Sequence, residues 1–203
     1  MFRDRIHAGR LLAEELSAGH AERDDTLVLG IPRGGVVLAN EVARRLSLPL
    51  DIIVTSKIGA PGNPEYAIGA VDPDGEVTPN PYAGYSLLEL QQLAVPVHHK
   101  IESRLHLYRG MQEPLDLKGK TVILVDDGIA TGLTVISAIA YLRRHGAHSI
   151  VVAVPVIAAG AAAIIRPEVD ELVALEEPEV FYAVGQFYRH FDQVSDDEVL
   201  ETL

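Results

Sequence analysis

The sequence reads VILVDDGIATGLT from Val122 to Thr134. The four apolar residues at its start are typical of a buried strand, and the small residues after the two acids predict a turn into a helix. Such a strand carries its loop to the carboxyl edge of an open α/β sheet, where sheets of this kind bind ligands. This stretch therefore predicts both a fold class and the place of a ligand site within it.

Alternating strand and helix patterns extend from this stretch over most of the chain. Because helices that join successive strands make those strands parallel, we predict an α/β fold with a mainly parallel central sheet, flanked by helices in a Rossmann-like core. The predicted strands are residues 26–31, 51–56, 67–71, 121–125, 149–154 and 170–175. The predicted helices are residues 2–16, 36–46, 86–109, 135–144 and 158–166, and the predicted loops are residues 57–64 and 72–85.

Composition narrows the class of protein. The chain has 203 residues, of which 48% are hydrophobic, and this predicts a single globular domain over residues 1–203. The net charge of −12 opposes binding to nucleic acid or to an anionic membrane, since such binding depends on Lys and Arg. The absence of cysteine excludes disulfides, zinc–thiolate sites and iron–sulfur clusters.

The sequence also predicts where the protein works. Residues 1–12 mix charged and apolar side chains and lack the apolar region of a signal peptide. The longest uncharged apolar stretch, residues 149–165, is short for a membrane span and is interrupted by Pro155 and Gly160. We therefore expect a cytoplasmic protein without a membrane partner.

The loop from Asp126 to Thr134 suits a sugar phosphate. Backbone N–H groups from Ala130 to Thr134 can point at one phosphate at the start of the helix, and Gly132 permits close approach. Paired carboxylates repel a phosphate but suit ribose hydroxyls. One alternative is that the acids only cap the following helix. A nucleotide-triphosphatase site would require a G-x-x-x-x-G-K-[ST] loop, which the sequence lacks.

This stretch resembles the phosphoribosyl pyrophosphate (PRPP) signature of the type I phosphoribosyltransferases. In that family the two acids hold the ribose 2- and 3-hydroxyls and the loop holds the 5-phosphate. The resemblance implies that Asp126 and Asp127 hold the ribose hydroxyls. It implies the phosphate-binding role for five loop residues: Ala130, Thr131, Gly132, Leu133 and Thr134. It also implies a small variable hood beside the core.

Two further loops fit this resemblance. Pro32-Arg33-Gly34-Gly35 follows the first predicted sheet strand and opens a helix, so Arg33 and the N–H groups of Gly34 and Gly35 are suited to pyrophosphate. Taken alone, this segment could be an ordinary turn. Lys57 enters a loop that resembles the mobile flap of the family, where a flexible cation can reach the departing pyrophosphate, and the alternative is a solvated lysine.

The resemblance implies transfer of phosphoribose from PRPP to a nitrogen nucleophile, a nucleobase or an amine, in nucleotide metabolism. Arg33, Lys57, Asp126 and Asp127 are the expected catalytic residues. Mg²⁺ is expected to bind mainly through PRPP, without a protein metal site. The alternative is a PRPP-binding regulatory protein of the same fold without transfer activity.

The acceptor is not identified by any motif. In relatives that act on 6-oxopurines an acid immediately precedes the threonine of the signature, whereas here that position is Ala130, which disfavours hypoxanthine and guanine. The aromatic residues between Phe181 and Phe191 could stack an acceptor, or could complete the core or a subunit interface. Dimers are common in the family, so a homodimer is expected.

Overall fold

The computed structural model describes residues 1–203. It contains eight strands and six α-helices, with short 3₁₀-helices at Arg166–Glu168 and Val184–Phe187. In chain order the elements are α1 (Arg5–His20), β1 (Thr26–Gly30), α2 (Gly34–Leu46), β2 (Leu50–Ile52), β3 (Ser56–Ala60), β4 (Asn63–Val71), β5 (Val77–Pro79), α3 (Leu87–Arg109), β6 (Thr121–Val125), α4 (Leu133–Arg144), β7 (Ser149–Val156), α5 (Ala159–Ile165), β8 (Glu171–Glu176) and α6 (Asp196–Thr202).

Contacts within the chain group these elements into two compact units. The sheet unit comprises Met1–Ile53, Leu117–Gly132 and His145–Leu203, and the hairpin unit comprises Val54–Asp116 and Leu133–Arg144. The prediction of a single domain over residues 1–203 stays a prediction. Neither unit contains a helix that combines the length and the apolar character needed to cross a membrane.

The sheet unit is built on five parallel strands in the order β2-β1-β6-β7-β8. Every residue of β1 and β6 is buried, as expected for central strands of a parallel sheet that is covered on both faces. Helices α1 and α2 pack against each other and contribute Leu12, Leu16 and Leu38 to the core. The predicted parallel sheet flanked by helices is thus confirmed.

Phe2 pairs with residues 187–189 within the sheet unit. The Phe2 N–H donates to the Phe187 carbonyl at 2.7 Å, and the Arg189 N–H donates to the Phe2 carbonyl at 2.9 Å. Tyr188 is buried, and its ring lies 5.4 Å from that of Phe2. Phe181, Phe187 and Phe191 pack against the same core, so the aromatic segment folds back onto the sheet unit.

The hairpin unit differs from the sequence prediction. Residues 57–64, predicted as a loop, mostly belong to β3 and β4, which pair in antiparallel fashion around a turn at Gly62. The short strand β5 lies within residues 72–85, also predicted as irregular, and pairs with β4. The prediction failed because Gly and Pro favour a loop locally, whereas a hairpin tolerates both at its turn and along an edge.

Polar contacts also hold the hairpin unit together. The buried Asp72 carboxylate accepts a hydrogen bond from Arg144 of α4, and the adjacent Asp74 forms a second ion pair with the same guanidinium. Ser86 and Glu89 form a capping box at the start of α3. The helix runs without interruption through Pro96, although proline commonly bends or breaks a helix.

Candidate functional site

The site expected from the sequence lies at the carboxyl edge of the parallel sheet, where β1 and β6 end side by side. Gly30 is in register with Val125, the last residue of β6. One hydrogen bond beyond the strands, from the Ile31 N–H to the Val125 carbonyl at 2.9 Å, extends this pairing into the loop. The loops after the two strands therefore start next to each other, as the order of a parallel sheet requires.

Two glycines permit these loops to touch. A Cβ on Gly35 would lie 2.7 Å from the Val125 carbonyl oxygen and 2.9 Å from the Asp126 Cα, so any side chain there would collide with backbone. A Cβ on Gly34 would overlap the Asp127 carboxylate. The N–H groups of both glycines lie in the first turn of α2, where no intrahelical acceptor exists, and the peptide bond between Pro32 and Arg33 is cis.

The acidic pair is fixed through one oxygen of each carboxylate. Asp126 Oδ1 accepts the Asp127 N–H at 2.8 Å. Asp127 Oδ2 accepts a hydrogen bond from Arg5 Nε, also at 2.8 Å, and both of these side chains are largely buried, 16% and 12% exposed. The second oxygen of each carboxylate accepts no hydrogen bond from the protein.

Burial and mutual repulsion set the protonation of this pair. Burial raises the pKa of Asp126 well above its usual range, and the charge of Asp127 raises it further. Burial also raises the pKa of Asp127, and the Arg5 guanidinium opposes that increase through charge and hydrogen bonding. Arg5 also opposes the increase at Asp126, so one cation supports both carboxylates as anions.

Residues 188–192, which include the end of the aromatic segment, complete the surroundings of the acidic pair. The Tyr188 hydroxyl donates to the Asp127 carbonyl at 2.6 Å, and burial, followed by the nearby Asp127 charge, raises the pKa of that hydroxyl. The Arg5 guanidinium carbon lies 3.8 Å above the centre of the Phe191 ring. Its Nη1 donates to the Asp192 carbonyl at 2.6 Å.

Sequence reasoning missed Arg5 and Tyr188. Arg5 stands among other charged residues near the start of α1, where its amphipathic pattern gives no sign of a long-range partner. It lies 122 residues before Asp127 in the sequence. The cluster of aromatic residues around Tyr188 is visible in the sequence, but its pattern does not show that the Tyr188 hydroxyl reaches the acidic loop.

Arg33 directly precedes Gly34, the residue whose backbone lies against the Asp127 carboxylate. Its Nη1 is 3.7 Å from Asp196 Oδ1, at the first residue of α6, and its side chain is partly exposed. The structure therefore brings Arg33, Gly34, Gly35, Asp126 and Asp127 together on one edge of the sheet.

The loop beyond the acids is pinned to the end of β7. The Ile129 N–H donates to the Val156 carbonyl, and the Ala158 N–H donates to the Ile129 carbonyl, both at 2.9 Å. Ala130 and Thr131 are exposed, whereas Gly132 is buried and adopts a φ of 83°, which favours glycine.

The remaining predicted residues belong to the hairpin unit. Leu133 and Thr134 are the first residues of α4, two residues earlier than the sequence predicted, and the Thr134 carbonyl accepts a hydrogen bond from Thr55 at 3.1 Å. Lys57 lies within β3 and not at the entrance to a loop. Its Nζ donates to Glu65 Oε2 at 2.9 Å.

Comparison with known proteins places this geometry in a family. Residues 3–191 match the family model of the phosphoribosyl transferase domain. Two Mycobacterium tuberculosis proteins, from strains CDC 1551 / Oshkosh and ATCC 25618 / H37Rv, carry provisional phosphoribosyl transferase names and are each 40% identical over 214 residues. The alignments cover 100% of this chain but 46% of each relative, so the chain spans about half the length of these relatives.

Solved structures show the same fold. The protein TT1426 from Thermus thermophilus is similar with a TM-score of 0.83 and 43% identity, covering 99% of this chain and 96% of that chain. The purine phosphoribosyltransferase from Pyrococcus horikoshii has a TM-score of 0.51 and 18% identity, covering 94% and 93% of the two chains. At this lower identity the likeness concerns the fold alone.

Proposed function

We propose a phosphoribosyl transfer activity for this chain, which belongs to the phosphoribosyl transferase family. In the proposed reaction a nitrogen lone pair of the acceptor forms a bond to ribose C1 of PRPP. The bond between C1 and the pyrophosphate oxygen breaks, and its electron pair leaves with pyrophosphate. The acceptor nitrogen then releases its proton to solvent.

The observation that carries the proposal is the contact between the acidic loop and the Arg33-Gly34-Gly35 loop. It supports binding of the ribose hydroxyls and of pyrophosphate at neighbouring positions, as PRPP requires. We assign the hydroxyls to Asp126 and Asp127. The N–H groups of Gly34 and Gly35 and the Arg33 guanidinium would hold the pyrophosphate, because the start of a helix and a guanidinium both favour anions.

The other assignments continue the sequence prediction. The 5-phosphate is assigned to the loop from Ala130 to Thr134, whose first residues are exposed and whose course is fixed at Ile129. Lys57 keeps its proposed role as a cation for the departing pyrophosphate. Two effects would lower the activation barrier of transfer: stabilising the charge of the leaving pyrophosphate, and holding the acceptor near C1, which carries oxocarbenium character during transfer.

Mg²⁺ is proposed to bind through PRPP. No group of three or more His, Asp or Glu side chains in residues 1–203 is arranged to hold a metal ion. Hard cations bind phosphates using few protein ligands, so the ion would be held by PRPP oxygens and would neutralise part of the pyrophosphate charge.

Calorimetric titration of PRPP with Mg²⁺ tests the ribose assignment. We expect the wild-type protein to bind and the Asp126→Asn, Asp127→Asn double variant to lose at least about tenfold in affinity, since hydrogen bonds to charged groups are each worth roughly 1.5–3 kcal/mol. The matched control is Asp24→Asn, Asp25→Asn, a second adjacent acid pair that is exposed on a turn. The control should bind as the wild type does.

Turnover separates the enzyme from the regulatory alternative. Pyrophosphate release on addition of one member of a nucleobase and amine library would support transfer. Tight PRPP binding without release for any acceptor would favour a PRPP-binding regulator. Absence of PRPP binding by the wild type would refute both functions and leave only the fold and family.

A further inference from the structure

We infer that Arg5 is a positioning residue for the ribose site, which holds Asp127 so that the acidic pair presents its two unpaired oxygens to the ribose hydroxyls. This inference rests on the proposed function, since it names a residue that would prepare the same site. It adds a residue from α1, outside both loops that carry the predicted site.

Arg5 is held at three points that leave it little freedom. Its Nε donates to Asp127 Oδ2, its Nη1 donates to the Asp192 carbonyl, and its guanidinium carbon stacks on the Phe191 ring. An arginine held in this way differs from a surface ion pair, because a planar guanidinium that is both stacked and hydrogen-bonded has a fixed direction.

The division of carboxylate oxygens follows from these contacts. Asp126 uses Oδ1 to accept the Asp127 N–H, and Asp127 uses Oδ2 to accept from Arg5. Asp126 Oδ2 and Asp127 Oδ1 are left without a donor from the protein. Two oxygens without a donor match two ribose hydroxyls, each of which has one proton to donate.

Steric contacts restrict Asp127 from the other side. A Cβ on Gly34 would overlap Asp127 Oδ2 and lie 2.9 Å from Arg5 Nε, so the start of α2 closely approaches this ion pair. The Tyr188 hydroxyl fixes the Asp127 carbonyl at 2.6 Å. The Asp127 backbone, its side chain and Arg5 are therefore positioned by three different parts of the sheet unit.

Charge gives Arg5 a second effect, which can be measured by pH. The charged and titratable groups around Asp127 are Asp126 in the same loop, Arg5 from α1 and Tyr188 from the aromatic segment. The charge of Arg5 also contributes to lowering the pKa of Glu198 in α6. Arg5 opposes the increase in pKa that burial imposes on both aspartates. Without Arg5 the carboxylates would take up protons at higher pH and would accept hydroxyl protons less well.

The experiment measures PRPP affinity with Mg²⁺ across a pH series for the wild type, Arg5→Gln and Arg5→Lys. We expect Arg5→Gln to lose roughly tenfold in affinity at pH 7, as for one charge-assisted hydrogen bond. Its loss of binding on acidification should begin at higher pH than in the wild type. Arg5→Lys should recover part of the affinity and most of the pH profile. Lysine restores the positive charge but not the planar guanidinium with its several N–H donors.

Arg10→Gln is the matched control. Arg10 lies on the same helix, but its side chain is exposed and forms its ion pair with Glu41 of α2, at 2.8 Å, instead of with an acid of the site loop. This variant should keep the wild-type affinity and pH profile. If Arg5→Gln does not fold, Arg5→Lys carries the test, with a predicted loss of roughly threefold.

Carbon-13 NMR titration of the Asp126 and Asp127 carboxyls in the ligand-free protein distinguishes a failure of the proposed function from a failure of the inference about Arg5. If the wild type does not bind PRPP, the proposed function fails, and the ribose role of Arg5 fails with it even where the titration shows its effect on the carboxyls. If the wild type binds PRPP but the Arg5 variants match it in affinity, pH profile and carboxyl titration, this inference alone is overturned. Weaker binding by Arg5→Gln with an unchanged pH profile and titration would also overturn it, since a merely structural role gives that result.

Discussion

The acidic loop and the β3–β4 hairpin each carry a predicted site residue, but they hold it in different ways. Asp127 contacts residues far along the chain: Arg5, 122 residues away, and Tyr188, 61 residues away. Lys57 pairs with Glu65, eight residues away on the same hairpin, and these side chains are 42% and 88% exposed. The first arrangement is fixed by the tertiary structure, whereas the second depends only on its own hairpin and on solvent.

The difference matches the separate roles proposed for the acidic pair and for Lys57. Groups that bind the ribose need a constant geometry, and burial among distant partners supplies it. A cation for a departing pyrophosphate must instead be accessible to that ion, and the Lys57 side chain is exposed. Substitutions in the two regions should therefore differ in their effect on stability.

The largest effect is expected at Gly35. An alanine Cβ there would press on the Val125 carbonyl and the Asp126 Cα, which are backbone atoms at the end of a buried strand and cannot move aside. We expect Gly35→Ala to lower the free energy of unfolding by about 3 kcal/mol, as overpacking does at its upper range. Urea denaturation measures this change.

Gly160→Ala provides the control for that substitution. Gly160 lies in α5, and a Cβ there would meet no atom within 4 Å. This variant should be unchanged or up to about 1 kcal/mol more stable, because alanine favours a helix over glycine. Equal stabilities for Gly35→Ala and the wild type would contradict the close approach of the two loops.

The two members of the acidic pair should affect stability in opposite directions. Asp127→Asn removes the anionic partner of the largely buried Arg5, so we expect a loss of about 2 kcal/mol at pH 7. Asp126→Asn removes a buried charge whose neighbour repels it, while the amide oxygen can still accept the Asp127 N–H, so we expect a gain of about 1 kcal/mol. Both variants should bind PRPP less well.

The stability that Asp126→Asn is expected to gain should depend on pH in a defined direction. Because the pKa of Asp126 is raised in the folded protein, the folded state holds this proton more tightly than the unfolded state does. The stability of the wild type therefore falls as pH rises from the ordinary aspartate value of 3.8 through the raised pKa. Thermal denaturation of Asp126→Asn should show its advantage at neutral pH and lose it on acidification; a constant advantage would contradict the buried charge.

The sequence predicted the fold and the loops of the site because both depend on local patterns. The apolar run before Asp126 specifies a buried strand, and the glycines after Arg33 specify where α2 can approach it. Arg5 and Tyr188 could not be predicted, since their roles depend on contacts between distant segments. The β3–β4 hairpin was missed for a different reason: its Gly and Pro residues favour a loop locally, and only strand pairing overrides that preference.

The smallest effect on stability is expected at the hairpin, where function should respond instead. Lys57→Ala and Glu65→Gln should each change the free energy of unfolding by no more than about 0.5 kcal/mol, because exposed ion pairs contribute little. If Lys57 serves the departing pyrophosphate, Lys57→Ala should weaken binding of pyrophosphate with Mg²⁺ by roughly tenfold, as for one charge-assisted contact. Glu65→Gln should preserve or strengthen that binding, because it releases Lys57 from a competing carboxylate at 2.9 Å. Calorimetry on the two variants decides between the alternatives for this residue, since unchanged binding by Lys57→Ala would identify it as a solvated lysine.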